Sequence, residues 1–171
     1  PSRFRTLTRA LTQILVVEAT RHLPTRPEVV HTPLEDTEMQ VLDTELAAVP
    51  VLRAGLGMLD AVLELLPQAS VGYLGLERNE TTAVAGAYYC RLPLLPDRAV
   101  LLLDPMLATG GSAALAVRQL MAAGASRLQL LCIVAAPEGV KSLEAEFPDL
   151  HIVTAALDRE LNEKRYILPG L

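Results

Sequence analysis

The sequence predicts an α/β fold, a doubly wound and mainly parallel sheet with helices on both faces. Short apolar runs, the pattern of strands buried on both faces, alternate with segments of helical spacing, and glycine- or proline-containing turns separate them. This alternation favours parallel strands joined by right-handed crossovers. With 171 residues, of which 51% are hydrophobic, the chain is long enough for a single domain over residues 1–171 with a substantial core.

The composition argues against several classes of function. The net charge of -5 provides no basic field for nucleic acid. No apolar run has the length of a membrane span, and the N-terminus lacks a signal-peptide pattern, so we expect a cytoplasmic protein that binds no membrane. Cys90 and Cys132 lie in unrelated contexts and are interpreted as core thiols. The histidines lack the spacing of metal ligands, so no protein-bound metal site is predicted.

The N-terminal part predicts a helix followed by a small pair of strands. Residues 3–23 carry apolar side chains at three- and four-residue steps, which predicts a helix that buries one stripe of its surface. The residues at these steps are Phe4, Leu7, Leu11, Ile14 and Leu15, and the polar Glu18 continues the same spacing. Proline-containing turns end the helix. Residues 28–32 and 38–43 are short and mixed in polarity, which favours two strands of a small peripheral layer.

The next segment predicts a strand, a glycine loop and a helix. Residues 47–52 form an apolar run, residues 53–57 contain two glycines, and residues 58–66 have helical spacing. Arg53 follows the predicted strand, a position where a guanidinium is suited to bidentate contacts with phosphate. The alternative, an arginine exposed on a surface loop, stays open from the spacing alone.

A protruding β-hairpin is predicted after the strand over residues 71–76. Two short extended arms flank Gly86, a pattern more typical of a hairpin than of a core. Arg78 lies at the root of this hairpin. Tyr88 and Tyr89 are interpreted as packing or subunit-contact residues rather than catalytic ones.

The central stretch, residues 99–113, predicts a buried strand, an acid, a glycine loop and the start of a helix over residues 113–123. The strand ends at Asp104-Pro105, because proline cannot donate to a β-ladder. The sequence Thr-Gly-Gly-Ser at residues 109–112 then leads into the helix, whose amino terminus offers unpaired N–H groups to a phosphate. We interpret this loop as a sugar-phosphate cradle, with Asp104 accepting hydrogen bonds from ligand hydroxyls. The alternative is a tight turn with a serine or threonine N-cap.

The C-terminal part predicts two further strands and a helix. A strand over Arg127–Ala135 is followed by a helix over residues 140–146 and by a strand over residues 150–155. Residues 137–139, Pro-Glu-Gly, are interpreted mainly as ordinary helix capping. Asp158 is interpreted as an ordinary loop acid.

Three polar residues follow predicted strands of this sheet. These residues are Arg53, Arg78 and Asp104. Ligands of open parallel sheets bind beyond the carboxyl ends of the strands, where these side chains would converge. The sequence therefore predicts a ligand site at that edge.

The central motif, AVLLLDPMLATGGS, resembles the phosphoribosyl diphosphate (PRPP) signature of type I phosphoribosyltransferases, and of uracil phosphoribosyltransferases in particular. The segments VLRAGLGM, RNE, AAPEG and LN with YI-PGL match the same family. The resemblance covers residues 3–171 and implies the type I fold, with a small hood over the base that includes the first pair of strands. It also implies a mobile hairpin, about residues 78–93, that closes over the reaction centre and excludes water.

The resemblance also implies the roles of the site residues. PRPP would be bound by Arg53, Arg78, Asp104, Pro105, Met106, Leu107, Ala108, Thr109, Gly110, Gly111 and Ser112. Residues 109–112 would hold the 5-phosphate, Asp104 the ribose hydroxyls, and the two arginines the departing pyrophosphate. The backbone of Ile167, in the base-recognition tail over residues 156–171, would contact uracil, and Mg²⁺ would be carried in on PRPP.

Further expectations from the family concern partners and chain ends. Relatives are dimers or larger homo-oligomers, and some are activated by GTP. Family members normally continue past the PGL segment with a glycine- and aspartate-containing stretch, so we expect this sequence to represent a truncated or partly ordered product. Two alternatives to uracil transfer stay open: a regulatory protein that binds PRPP or nucleotide, and a transferase for another base such as a purine or orotate.

Overall fold

A computed structural model of the chain describes residues 2–78 and 85–171. Its helices are α1 (Ser2–Thr20), α2 (Leu56–Leu65), α3 (Gly111–Ala122) and α4 (Pro137–Glu146). Its strands are β1 (Thr25–His31), β2 (Asp36–Leu42), β3 (Leu46–Leu52), β4 (Ser70–Val71), β5 (Tyr73–Arg78), β6 (Ala85–Arg91), β7 (Ala99–Leu103), β8 (Met106–Leu107), β9 (Arg127–Ala135), β10 (His151–Leu157), β11 (Glu160–Leu161) and β12 (Ile167–Leu168). Among the described residues, no helix combines the length and the apolar character needed to cross a lipid bilayer.

The main sheet has the strand order β10-β9-β7-β3-β5-β6. All neighbours on this path are parallel except β5 and β6, which are antiparallel at one edge. The prediction of a doubly wound, mainly parallel sheet is therefore confirmed. The strand predicted over residues 71–76 is split at Gly72 into β4 and β5, and helices α2, α3 and α4 begin earlier than predicted.

Helices cover both faces of the sheet, and strand β7 separates the two cores. Val100 and Leu102 pack in a cluster with residues of α3 and α4, including Leu120 and Leu143. Leu101 and Leu103 pack on the other face, in a cluster with residues of α1 and α2. Because alternate side chains of a strand point to opposite faces, an apolar run without polar interruption belongs in the middle of such a fold.

The buried stripe of α1 differs from the predicted one. Phe4, Leu7 and Ile14 are exposed by 54%, 53% and 65%. The buried residues are Thr8, Thr12, Leu15, Val16 and Ala19. Thr12 can be fully buried because its hydroxyl donates to the backbone oxygen of Thr8 at 2.8 Å. The periodicity therefore predicted the helix correctly, but of the predicted stripe only Leu15 is buried, while the partly buried Leu11 packs against the same core. The helix ends at Thr20 rather than at residue 23.

The first hairpin, β1–β2, forms a separate two-stranded antiparallel sheet, as predicted. The N–H group of Asp43 donates to the oxygen of Pro24 at 2.8 Å and closes its base, directly before the amino end of β3. The hairpin is therefore rooted at the edge opposite the carboxyl ends of the strands. This position corrects the expectation that it belongs to a hood over the base. The small antiparallel pair at the carboxyl edge is β11–β12.

The second hairpin, β5–β6, is part of the main sheet. Leu74 in β5 is fully buried, so this strand contributes to the core. Gly86 lies within β6, opposite Glu77, and not at the turn between two arms as predicted. The connection spans residues 79–84, which lie outside the described residues and belong to the hairpin, about residues 78–93, that is expected to close over the reaction centre.

Candidate active site

Two of the predicted site residues follow neighbouring strands at the carboxyl edge of the sheet. Asp104 comes directly after β7 and Arg53 directly after β3. The parallel register pairs Pro50 with Leu103, so the two strands end side by side. The backbone thus brings Asp104 and Arg53 to one edge, as the sequence predicted. Arg53 is exposed there.

Arg78 lies on the next strand along the sheet but further out. Leu52 at the end of β3 pairs with Gly75 of β5, and β5 continues to Arg78. With a rise of about 3.3 Å per residue, the Arg78 backbone lies about 10 Å beyond that pairing. Its side chain lies outside the part of the chain that the structure describes.

The loop after β7 is held by backbone hydrogen bonds to β9. The Asp104 N–H group donates to the oxygen of Leu131 at 3.1 Å, and the oxygen of Pro105 accepts from the N–H group of Ile133 at 3.0 Å. The short strand β8 then pairs with the end of β9. Residues 104–107 are therefore a fixed extension of the sheet, which delivers the following glycines to a defined place.

The amino end of α3 begins at a glycine in the left-handed conformation. Its N-cap is Gly110, in the left-handed conformation with φ of 85°, and no side chain caps it. This geometry corrects the alternative of a serine or threonine N-cap. Residues 106–113, which include the start of α3, line a cavity of about 240 Å³ together with Asp104. The first N–H groups of a helix have no partner within the helix and are available to a ligand there.

Asp104 is a partly buried carboxyl at the wall of this cavity. Burial raises its pKa from 3.8 to about 6, and the hydrogen bond that its Oδ1 accepts from the N–H group of Met106 at 3.4 Å opposes that shift. Neighbouring Cys132 has its pKa raised to about 11, first by burial and further by the charge of Asp104. At neutral pH Asp104 is mostly ionised, so it is a strong acceptor for ligand hydroxyls.

Glycines allow the loops of this edge to pack against one another. A Cβ atom on Gly55 would lie 2.3 Å from the oxygen of Leu103, and one on Gly139 would lie 2.3 Å from the oxygen of Ala108. The loop that carries Arg53 therefore contacts the end of β7. Helix α4 contacts residues 108–112, which are called the phosphate loop below after the role that the sequence predicts for them. The sequence indicates only helix capping for Gly139. The pattern Pro-Glu-Gly after a buried strand does not predict the contact with Ala108.

The tail over residues 156–171, which the sequence predicts to recognise the base, forms a small hairpin at the same edge. Strands β11 and β12 pair Leu161 with Ile167, which is half-buried. The N–H group of Asp158 donates to the oxygen of Ala135, the last residue of β9, at 2.8 Å. Because Ala135 also pairs with Leu107 of β8, the tail begins beside the phosphate loop.

Comparisons with known proteins agree with this geometry. A family model described as uracil phosphoribosyltransferase matches residues 1–171. A uracil phosphoribosyltransferase of Fervidobacterium nodosum is 47% identical over 173 residues, covering 100% of this chain and 84% of the relative. A uracil phosphoribosyltransferase of Streptococcus pyogenes is 47% identical, covering 98% of this chain and 81% of the relative.

Solved structures give the same result for the fold. A protein from Aquifex aeolicus aligns with a TM-score of 0.93 at 38% identity, covering 99% of this chain and 82% of the other. A purine phosphoribosyltransferase from Pyrococcus horikoshii aligns with a TM-score of 0.60 at 13% identity, covering 91% and 92% of the two chains. Because that identity is low, the similarity to the Pyrococcus horikoshii protein shows the fold alone.

Proposed function

This chain belongs to the uracil phosphoribosyltransferase family, and on that basis we propose that it transfers ribose 5-phosphate from PRPP to N1 of uracil, with release of pyrophosphate. One observation supports the proposal: the amino end of α3, which begins at Gly110 and has no side-chain cap, lines the same cavity as the carboxyl group of Asp104. A phosphorylated ribose offers a dianion to the first and hydroxyl groups to the second.

The phosphate loop and Asp104 would position the substrate and stabilise charge in the transition state. N–H groups at the start of α3, with the hydroxyls of Thr109 and Ser112, would hold the 5-phosphate. Asp104 would accept hydrogen bonds from the ribose hydroxyls. As the bond to pyrophosphate breaks, the anomeric carbon becomes cationic, and the negative charge of Asp104 stabilises that state.

The leaving group would be held from the neighbouring strands. Arg53 follows β3 and is exposed beside the end of β7, so its guanidinium can reach an oxyanion that departs from a ribose bound at Asp104. Arg78 would contribute from the end of β5. Guanidinium groups suit this role because they bind phosphate oxygens in a bidentate manner and stay charged.

Magnesium would enter the site together with PRPP. Among residues 2–78 and 85–171, no group of three or more His, Cys, Asp or Glu side chains could hold a metal ion. Mg²⁺ commonly uses one or two carboxylates together with substrate phosphates, and the single carboxylate of Asp104 fits that arrangement. The ion would neutralise charge on the pyrophosphate.

Uracil would be recognised by the backbone of Ile167. The base presents alternating donors and acceptors, which peptide N–H and carbonyl groups can match. Supporting this role, Ile167 lies in the hairpin whose first strand begins beside the phosphate loop.

The test is conversion of uracil and PRPP to UMP by the complete protein, with pyrophosphate release followed and other bases offered in competition. We expect UMP, and no inhibition by orotate or hypoxanthine. Binding of PRPP without any product would favour the regulatory alternative. Efficient transfer to orotate or a purine would assign the enzyme to another base.

We further propose that the protein is a homodimer or larger homo-oligomer. A two-stranded hairpin has little stability of its own, yet β1–β2 exposes the apolar side chains of Val29, Val30 and Met39. Light scattering during size-exclusion chromatography should give at least twice the monomer mass, and Met39→Glu should lower it. A monomer at micromolar concentration would contradict the proposal.

Cytoplasmic location and activation by GTP stay predictions.

A further inference from the structure

Two acidic residues near the tail take no part in the proposed chemistry. Glu138 belongs to the first turn of α4, and Asp158 follows β10. Both contact the segment of residues 159–170, which contains β11, β12 and Ile167 and is called the base segment below.

Glu138 holds the first strand of the base segment. Its Oε1 atom accepts a hydrogen bond from the N–H group of Leu161 at 2.9 Å. That bond, with a second from its own N–H group, lowers the pKa of Glu138 below its usual value, so the side chain is ionised at neutral pH. Leu161 is the residue that pairs with Ile167.

Asp158 holds the other end of the base segment. Its Oδ2 atom accepts a hydrogen bond from the N–H group of Gly170 at 2.8 Å. Gly170 has a φ of 76°, so the chain turns sharply there just after β12. Asp158 is itself tied to the end of β9 through its N–H group and the oxygen of Ala135. Ile167 thus lies between two points of attachment.

The helix turn that carries Glu138 also touches the phosphate loop. Gly139 packs so closely on the oxygen of Ala108 that a Cβ atom would lie 2.3 Å from it. The N–H group of Ala136 donates to the oxygen of Leu107 at 2.8 Å. Residues 136–139 therefore connect the phosphate loop directly with the base segment.

We propose that Glu138 and Asp158 are positioning residues, which set the backbone of Ile167 relative to the phosphate loop and so determine the affinity for uracil without touching it. This inference rests on the proposed function. A carboxylate that accepts a backbone N–H group forms a charge-assisted hydrogen bond, which is stronger than a neutral one. Its loss leaves the base segment free to shift while the phosphate loop keeps its own bonds to β9.

The test uses Glu138→Ala and Asp158→Ala in the complete protein, with Glu138→Gln and Asp158→Asn as conservative variants whose amide oxygens can still accept. Each alanine variant should raise the KM for uracil about tenfold, the equivalent of about 1.4 kcal/mol. The KM for PRPP should be unchanged, and the amide variants should recover most of the uracil affinity. Glu144→Ala, which removes an exposed acid of α4 outside the base segment, is the matched control and should behave like the wild type.

The outcomes separate this inference from the proposed function. Wild-type enzyme that makes UMP, with alanine variants whose uracil KM is unchanged, would overturn the positioning role alone. Equal increases in the KM values for uracil and PRPP would also overturn it, because they indicate a general loss of structure. Wild-type protein that binds PRPP but neither uracil nor UMP would overturn both.

Discussion

Replacing Asp104 by asparagine is expected to remove most of the transferase activity and, at the same time, to make the unliganded protein more stable at alkaline pH. Burial raises the pKa of this carboxyl from 3.8 to about 6. The folded state therefore prefers the protonated form of Asp104. The contribution of this protonated form to the free energy of unfolding is complete below the pKa of the unfolded chain, 3.8, and is lost as the pH rises through the folded-state pKa of about 6. At about pH 8 the ionised carboxylate costs up to about 3 kcal/mol of unfolding free energy.

The asparagine variant keeps the shape of the side chain and an oxygen that can accept from Met106, but carries no charge. Its melting temperature should exceed that of the wild type by several degrees near pH 8, and the difference should vanish below about pH 4. Its kcat should fall about 10²- to 10³-fold, the loss typical when one electrostatic contact with a transition state is removed. Thermal unfolding across this pH range and steady-state kinetics measure both effects.

Asp60→Asn is the control, because Asp60 is an exposed acid on α2. It should change neither stability nor kcat appreciably. An Asp104→Asn enzyme with wild-type turnover would exclude Asp104 from the reaction. A variant no more stable than the wild type near pH 8 would show that its carboxylate is not desolvated.

Gly55→Ala is expected to destabilise the fold strongly and to disrupt the site by displacing the strands that carry its residues. The added Cβ atom would lie 2.3 Å from the oxygen of Leu103 and 2.8 Å from both N and O of Val51, all of them backbone atoms. Gly55 has a φ of -62°, so alanine tolerates the conformation and the effect is one of space alone. Relief requires a shift of β3 or β7, the strands that carry Arg53 and Asp104.

The expected loss is about 3 kcal/mol or more of unfolding free energy, at the upper end of what overpacking costs. Gly57→Ala is the matched control from the same loop and helix, because a Cβ atom added to Gly57 would meet nothing within 4 Å. It should stabilise helix α2 by about 0.5–1 kcal/mol. Urea denaturation of the two variants should move the midpoint in opposite directions; equal midpoints would refute the close approach of Gly55 to β7.

Much of the architecture could be predicted because its signals are local. The runs Ala99–Leu103 and Arg127–Ala135 are strands with the predicted bounds. Uninterrupted apolar residues specify strands that are buried on both faces, wherever their partners come from. The break at Asp104-Pro105 and the glycines that follow specify a loop for the same kind of reason, since they depend on the conformations open to single residues.

Contacts between residues that are distant in the chain could not be predicted from such local signals. Two overlapping apolar stripes exist on α1, and only packing against α2 and the sheet decides that Leu15 and Val16 are buried while Phe4 and Leu7 are exposed. The turn of the second hairpin was misplaced at Gly86 because glycine is typical of turns but also occurs within strands, as it does opposite Glu77.

Residues that are neighbours in the chain specify the alternation of strands and helices, the glycine loop behind Asp104 and the likeness to one family, so these features could be read before the fold was known. The packing of Gly55 and Gly139 against other loops, and the attachment of the base segment to Glu138 and Asp158, follow only from the three-dimensional arrangement. The two attachments join residues 23 and 12 positions apart, and the glycine contacts join separate loops. A hydrogen bond or a close approach of that kind leaves no periodic pattern, since it exists only once the sheet has brought its loops to one edge.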